Sequence, residues 1–329
     1  MDWILETLPL ELKYTWKISR NSSELKHNFL VRCRIDRFEG LGEVAPNIRY
    51  QETTERIQEG FKSFLNYPNK HLITSDFQLN EILSSLNLPN ALRFGINSAW
   101  VHCMASKNKV STPTYLGIPE KKEISSCYTF PIMEADELEN FYQEYNLQRF
   151  NYLKVKVNAE EPLEAIKRIA AFSTQNLIID GNEAWTDPQQ VLEFTHLLDG
   201  IRVEFLEQPM PAAELEAYQW LKRKSTVPLM ADESLLDNPD WELLEKGFHG
   251  VNMKLMKAGS YQNGISILRE AKARGFMTMT GCMIESTLGI SSAFYAAALS
   301  DYADLDGCLI VANEPFGLVA EKGGKFFLS

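Results

Sequence analysis

The chain has 329 residues, and its 33 Lys+Arg against 44 Asp+Glu give a formal charge of −11. Hydrophobic residues make up 45% and charged residues 23%, the balance of a soluble globular protein with one large or two modest domains. An acidic surface repels phosphate backbones, and no stretch approaches 18 uncharged apolar residues, so neither nucleic acid nor a membrane is expected as a partner.

The N-terminus lacks the basic-then-apolar order of a signal peptide. Five scattered cysteines (Cys33, Cys103, Cys127, Cys282, Cys308) form no CxxC pair, which excludes zinc ribbons and disulfide frameworks and suits a cytoplasmic location. The five histidines show no HExxH spacing.

Residues 1–50 read as a β-meander, with alternation through Asn28–Ile35 and a turn at Gly40-Leu41-Gly42. Gly40–Ala45 matches G-x-G-x-x-A, but Pro46 follows and no βαβ unit surrounds it, so it reads as a hairpin turn and not a dinucleotide loop. Helical spacing then predicts helices over 55–65, 76–86 and 90–106. Thr112-Pro113-Thr114 and Gly117-Ile118-Pro119 mark a boundary. Residues 1–118 are therefore expected to form one α+β unit.

Beyond Glu123, short apolar runs alternate with amphipathic stretches. The runs are 127–130, 152–157, 177–180, 203–206, 228–231, 250–255, 276–280 and a weaker 303–309. Helical stretches lie at 162–173, 188–198, 212–224, 239–246, 262–274 and 286–299. Eight such strands over 124–314 suit a closed parallel α/β barrel. Residues 315–329 are expected to run back to the N-terminal unit.

In such a barrel the chemistry sits at the C-terminal ends of the strands. The second strand ends in Lys154-Val155-Lys156, the third in Asp180, the fourth in Glu207, the fifth in Asp232 and the sixth in Lys254. From Lys156 onward these follow at intervals of 24, 27, 25 and 22 residues, about one strand-plus-helix repeat, so they are expected at one height around one mouth. Alone, each carboxylate reads as a helix cap or surface ion pair; the set in phase with the repeat does not. Three carboxylates aimed at one point call for a cation, and hard oxygen ligands select Mg²⁺, Mn²⁺ or Ca²⁺ over zinc. A lysine on either side, partly desolvated and beside a cation, can act as a base. The arrangement suits removal of an α-proton from one face of a carboxylate substrate and its return to the other.

The motifs Lys154-Val155-Lys156, Asp180-Gly181-Asn182, Glu207-Gln208-Pro209, Asp232-Glu233-Ser234 and Asn252-Met253-Lys254-Leu255-Met256-Lys257 closely resemble those of the enolase superfamily, muconate-lactonizing subgroup. The resemblance spans nearly the whole chain. It implies an α/β fold: a (β/α)7β modified TIM barrel with an N-terminal α+β capping domain whose loops set specificity. It implies Asp180, Glu207 and Asp232 as ligands of one Mg²⁺ per subunit, Lys156 and Lys254 as the acid/base pair, and Lys154 as a contact to the substrate carboxylate that stabilises a metal-held enediolate. Lys257 is left without a role.

Asp304-Leu305-Asp306 at the eighth strand resembles the signature of dipeptide epimerases, where such acids hold the substrate's α-ammonium; a buried amine needs an anionic partner. A solvent-facing turn is the plainer reading of the same residues. Cys282, Met283, Ile284 and Thr129 match stretches that line the substrate. The implied activity is Mg²⁺-dependent dipeptide epimerisation, with L-Ala-D/L-Glu epimerisation in murein peptide recycling as the first expectation. Epimerisation of hydrophobic or other dipeptides, an o-succinylbenzoate synthase or muconate cycloisomerase reaction, and a non-catalytic dipeptide-binding barrel are the alternatives. A substrate glutamate would want a cation from the cap, for which Lys17, Arg20 and Arg49 are candidates. The resemblance leaves homo-oligomerisation open. The short C-terminus departs from the family pattern.

Overall fold

The computed structural model describes residues 1–19, 21–68 and 70–329. Arg20 lies outside the described residues.

Three antiparallel strands open the chain: β1 (Asp2–Lys17), β2 (Ser22–Ile35) and β3 (Phe38–Val44), in the order β1-β2-β3. Four helices follow, α1 (Thr54–Leu65), α2 (Asp76–Ser85), α3 (Asn90–Asn108) and the short α4 (Thr112–Leu116). Thr53, Ser75 and Ser111 cap α1, α2 and α4 by accepting an amide of the first turn, which starts each helix at that point. The stretch read as a bare boundary at 112–117 thus holds one helical turn, closed by Gly117 at φ +64.

The two-residue β4 (Ile124–Ser125) leads into eight parallel strands: β5 (Cys127–Phe130), β6 (Tyr152–Lys156), β7 (Asn176–Asp180), β8 (Val203–Glu207), β9 (Leu229–Ala231), β10 (Gly250–Lys254), β11 (Met277–Gly281) and β12 (Tyr302–Asp304). They hydrogen-bond in chain order. The connecting helices are α5 (Leu138–Glu144), α6 (Pro162–Phe172), α7 (Pro188–Leu197), α8 (Leu215–Lys222), α9 (Trp241–Gly247), the one-turn α10 (Leu255–Ala258), α11 (Tyr261–Ala273) and α12 (Thr287–Ala297). Eight parallel strands in cyclic order under a ring of helices make the (β/α)7β barrel, with the antiparallel sheet and α1–α4 as the capping unit. α5 has no counterpart in the periodicity: it is only seven residues long, and its apolar face is made by Leu138, Phe141 and Tyr142.

The terminal strands β13 (Val319–Lys322) and β14 (Lys325–Leu328) pair with each other, and β14 pairs with β4, not with the capping sheet. The residues just before them do meet the cap: Lys13 N donates to Ile310 O and Ala312 N to Glu11 O. Among the described residues no helix is long and apolar enough to cross a membrane.

Candidate active site

Strand register places the chemistry. Lys156, Asp180 and Glu207 are direct neighbours across β6, β7 and β8. Glu207 faces Met230, so Asp232 stands two residues further on, just past the end of β9. Val251 faces Ala231, so Lys254 lies two beyond the position opposite Asp232. Lys254, Gly281 and Asp304 are again level. The expected single height is therefore a staircase. Closing a barrel staggers its strands, and steps of two residues keep every one of these side chains pointing inward.

At the centre stands Lys154, 1% exposed. Its Nζ is 3.0 Å from Asp180 Oδ2, 2.8 Å from Glu207 Oε2 and 2.8 Å from Asp304 Oδ2. Burial opposes its charge, yet these three acids hold its pKa well above the ordinary lysine value. On one side Lys156 Nζ donates to Asp180 Oδ2 (3.0 Å) and Asn182 Oδ1 (2.8 Å). On the other, Lys254 Nζ donates to Asp232 Oδ2 at 2.9 Å. Desolvation lowers the Lys254 pKa, but the acids around it, Asp232 foremost and then Glu207 and Glu233, together outweigh that and raise it. Lys254 passes over Gly281, where a Cβ would stand 2.5 Å from Asn252 Oδ1 and 3.0 Å from Lys254 Cε, so a side chain at 281 would collide with Asn252 and crowd the lysine.

Asp304 and Asp306 are both 5% exposed, which corrects the solvent-facing-turn reading. Asp304 accepts from Lys154 and from Cys127 Sγ. Asp306 accepts from the backbone N of Thr129 at 2.6 Å, tying the turn after β12 to β5. Burial, with Asp304 alongside, pushes the Asp306 carboxyl up to about 7.

A cavity of about 380 Å³ opens above these groups, a size that holds a small ligand. Thr129, Lys154, Lys156, Asp232, Lys254, Cys282, Met283, Ile284, Asp304 and Asp306 all line it, which gathers the sequence-derived set into one place. Asp180 and Glu207 lie beneath, behind the lysines. The cap closes the cavity from above. Glu43, at the end of β3, accepts from Ser286 N (3.0 Å) and Gly289 N (3.0 Å), and Asn28 donates to Ile284 O (3.0 Å); together they fasten the loop 282–286 that lines the cavity.

Of the cap cations named from sequence, Arg49 does not face the cavity: it makes a two-pronged ion pair with Glu183 at 2.7 and 2.8 Å. Lys17 is exposed at the end of β1 and does not line the cavity. Lys26 does line it. Asn28 is turned inward onto the barrel, so Lys26, two residues earlier on β2, shares its face. Among the described residues Lys26 forms no ion pair, and burial lowers its pKa. The strand alternation that marked Asn28–Ile35 was the signal for it.

Gln208 was also missed. Its Oε1 accepts from Asp232 N and Ser234 N, both at 3.0 Å, and its Nε2 donates to Tyr218 and Ser234. Gln208, Asn182 and Glu183 all take left-handed φ (34°, 42°, 64°), backbone strain concentrated where β7 and β8 deliver their acids.

The donor chemistry fits a hard divalent cation. Five buried carboxylates (Asp180, Glu207, Asp232, Asp304, Asp306) face four ammonium groups (Lys154, Lys156, Lys254, Lys257), one positive charge too few. The shortfall shows at two of the acids, Asp306 and Glu207, whose carboxyls are both pushed up. Among the described residues Glu207 Oε2 accepts no hydrogen bond, though Lys154 is at ion-pair distance, and burial pushes the Glu207 carboxyl up to about 8. Among the described residues no three His, Cys, Asp or Glu side chains close around one point at ligand distance, since the lysine ammoniums stand between the acids.

Residues 135–313 match the family described as enolase C-terminal domain-like, and the chain belongs to that family. It is 32% identical to an L-Ala-D/L-amino acid epimerase of Pedosphaera parvula, over 97% of this chain and 94% of the relative. It is 29% identical to the L-Ala-D/L-Glu epimerase of Bacteroides thetaiotaomicron, over 97% of this chain and 83% of the relative. Its fold superposes on the dipeptide epimerase of Enterococcus faecalis, solved with Mg and the dipeptide L-Leu-L-Tyr, with TM-score 0.90 and 25% identity over 99% and 96% of the two chains.

Proposed function

We propose that this chain is a dipeptide epimerase, an isomerase that inverts the α-carbon of the C-terminal residue of a dipeptide. The observation that carries the reading is the pair Lys156 and Lys254, both lining one cavity from β6 and β10, with the acids of β7, β8 and β9 between them. One base serves one face of a carbon. Two bases on opposite faces let one remove the α-proton and the other return it, which inverts the centre.

The remaining residues divide the binding. Lys154 meets the substrate's α-carboxylate and opposes the negative charge that grows there as the proton leaves. Asp304 and Asp306 take the free α-ammonium of the first residue; an arriving cation also favours ionised Asp306. Thr129 and residues 282–284 line the path of the peptide. Asp180, Glu207 and Asp232 would hold one Mg²⁺, which when bound supplies further positive charge toward the substrate carboxylate. Residues 1–118 act as the specificity cap over the barrel of 124–314. Lys26 favours an acidic side chain on the epimerised residue, so L-Ala-D/L-Glu is the preferred pair. The five free cysteines suit a reducing cytoplasm.

The test is product stereochemistry. L-Ala-L-Glu incubated with the protein and Mg²⁺ should yield L-Ala-D-Glu by chiral chromatography. If folded, Mg²⁺-binding protein inverts no member of a panel of acidic, hydrophobic and cationic dipeptides, the reading is wrong.

A further inference from the structure

A fourth lysine borders the acids without facing the substrate cavity. Lys257 sits on α10, directly after β10, and is 6% exposed. Its Nζ donates to Asp232 Oδ1 at 2.5 Å and to the Asp232 backbone O at 2.6 Å, and reaches Asn252 O at 3.3 Å. Three oxygens use an ammonium's three protons. Asp232 is held at its amide as well, by Gln208 Oε1. With amide, carbonyl and Oδ1 all engaged on the protein side, Oδ2 is the oxygen turned toward Lys254 and the cavity.

The same ammonium reaches a second acid indirectly. Asn252, whose carbonyl it touches, donates through Nδ2 to Glu207 Oε1 at 2.7 Å. The turn that carries Lys257 is itself fixed by the cap. Gly259 ends it at φ +77, and a Cβ there would stand 3.2 Å from Asn90 Oδ1 at the start of α3. Beside it, Met256 Sδ accepts from Ala45 N at 3.4 Å.

We propose that Lys257 is a positioning residue for the cation site: it locks Asp232 so that Oδ2 is presented together with Asp180 and Glu207. The inference rests on the metal assignment above and extends it to a residue outside the acid set. It also separates two physical effects. A lysine in contact with a ligand carboxylate repels a divalent cation, so by charge alone its removal tightens binding. By positioning, its removal loosens Asp232 and weakens binding.

Calorimetric titration of Mg²⁺, with no dipeptide present, tests this on wild type, Lys257→Met and Lys257→Arg, each checked for a cooperative thermal melt. Lys257→Met keeps the stem and loses the donors; its Kd for Mg²⁺ should rise at least tenfold. Lys257→Arg, which restores donors and charge, should recover part of that loss. Unchanged or tighter binding by Lys257→Met overturns the proposal and leaves the epimerase reading standing. Absence of Mg²⁺ binding by wild type overturns the metal assignment and the proposal together. If Lys257→Met does not fold, Lys257→Gln is held to the same criterion.

Discussion

Lys26 and Lys154 are both lysines at the cavity, with opposite surroundings. Lys154 is enclosed by three acids, whereas Lys26 meets no acid among the described residues. A partly buried cation without a counter-ion gains most from an anionic ligand; hydrogen bonds to charged groups contribute about 1.5–3 kcal/mol. Lys26→Met should therefore raise KM for L-Ala-L-Glu roughly 10- to 100-fold and leave L-Ala-L-Leu nearly unchanged. Steady-state kinetics on the two substrates checks this; equal effects on both would deny Lys26 a role in selectivity. The strand-end residues Lys154, Lys156, Asp180, Glu207, Asp232 and Lys254 were legible in the sequence because each follows an apolar run by a repeating interval. Gln208 and Lys257 were not. Their work is done on Asp232, 24 and 25 residues away, and no local periodicity records such a contact.

At the scale of elements, the barrel strands and most helices were readable from apolar runs and amphipathic spacing. The level at which each strand ends was not, since stagger is a property of the closed sheet and not of any one strand. The destination of the C-terminal hairpin was also misjudged: its pairing with the two residues of β4 leaves no pattern in the sequence. The join between β3 of the cap and the loop after β11 carries a pH-sensitive pair. Glu285 is buried, with Glu43 beside it and Lys254 within its field, and its carboxyl is pushed up to about 8 by burial and by Glu43. A carboxyl whose folded pKa exceeds its unfolded value favours the fold fully below the unfolded pKa. That contribution is lost as pH rises through about 8. Wild type should thus lose thermal stability between pH 6 and pH 9. Glu285→Gln, which cannot ionise, should lose less over that interval, a difference of several °C in Tm. Parallel Tm–pH curves for the two proteins would contradict this.

The molecule as a whole gathers its buried charges in one place. Five carboxylates and four lysines converge at the barrel mouth, and the cap seals them under Glu43, Asn28 and the Arg49–Glu183 pair. A ligand that binds only the folded chain stabilises it by mass action, about 2.7 kcal/mol at a hundredfold excess over Kd. Mg²⁺ should accordingly raise Tm by a few °C, reversed by EDTA, and Asp232→Asn should reduce the rise. The same metal dependence should extend to chemistry.

The most direct measurement is α-proton exchange in D₂O, followed by NMR on L-Ala-L-Glu and L-Ala-D-Glu with Mg²⁺, for wild type, Lys156→Ala and Lys254→Ala. Wild type should take up deuterium only at the α-carbon of the C-terminal residue, from either epimer, and lose this activity with EDTA. Each single variant should retain exchange with one epimer, a different one for each, and lose epimerisation by about 10²- to 10⁴-fold. Wild-type exchange from both epimers in both variants would contradict the two-lysine mechanism.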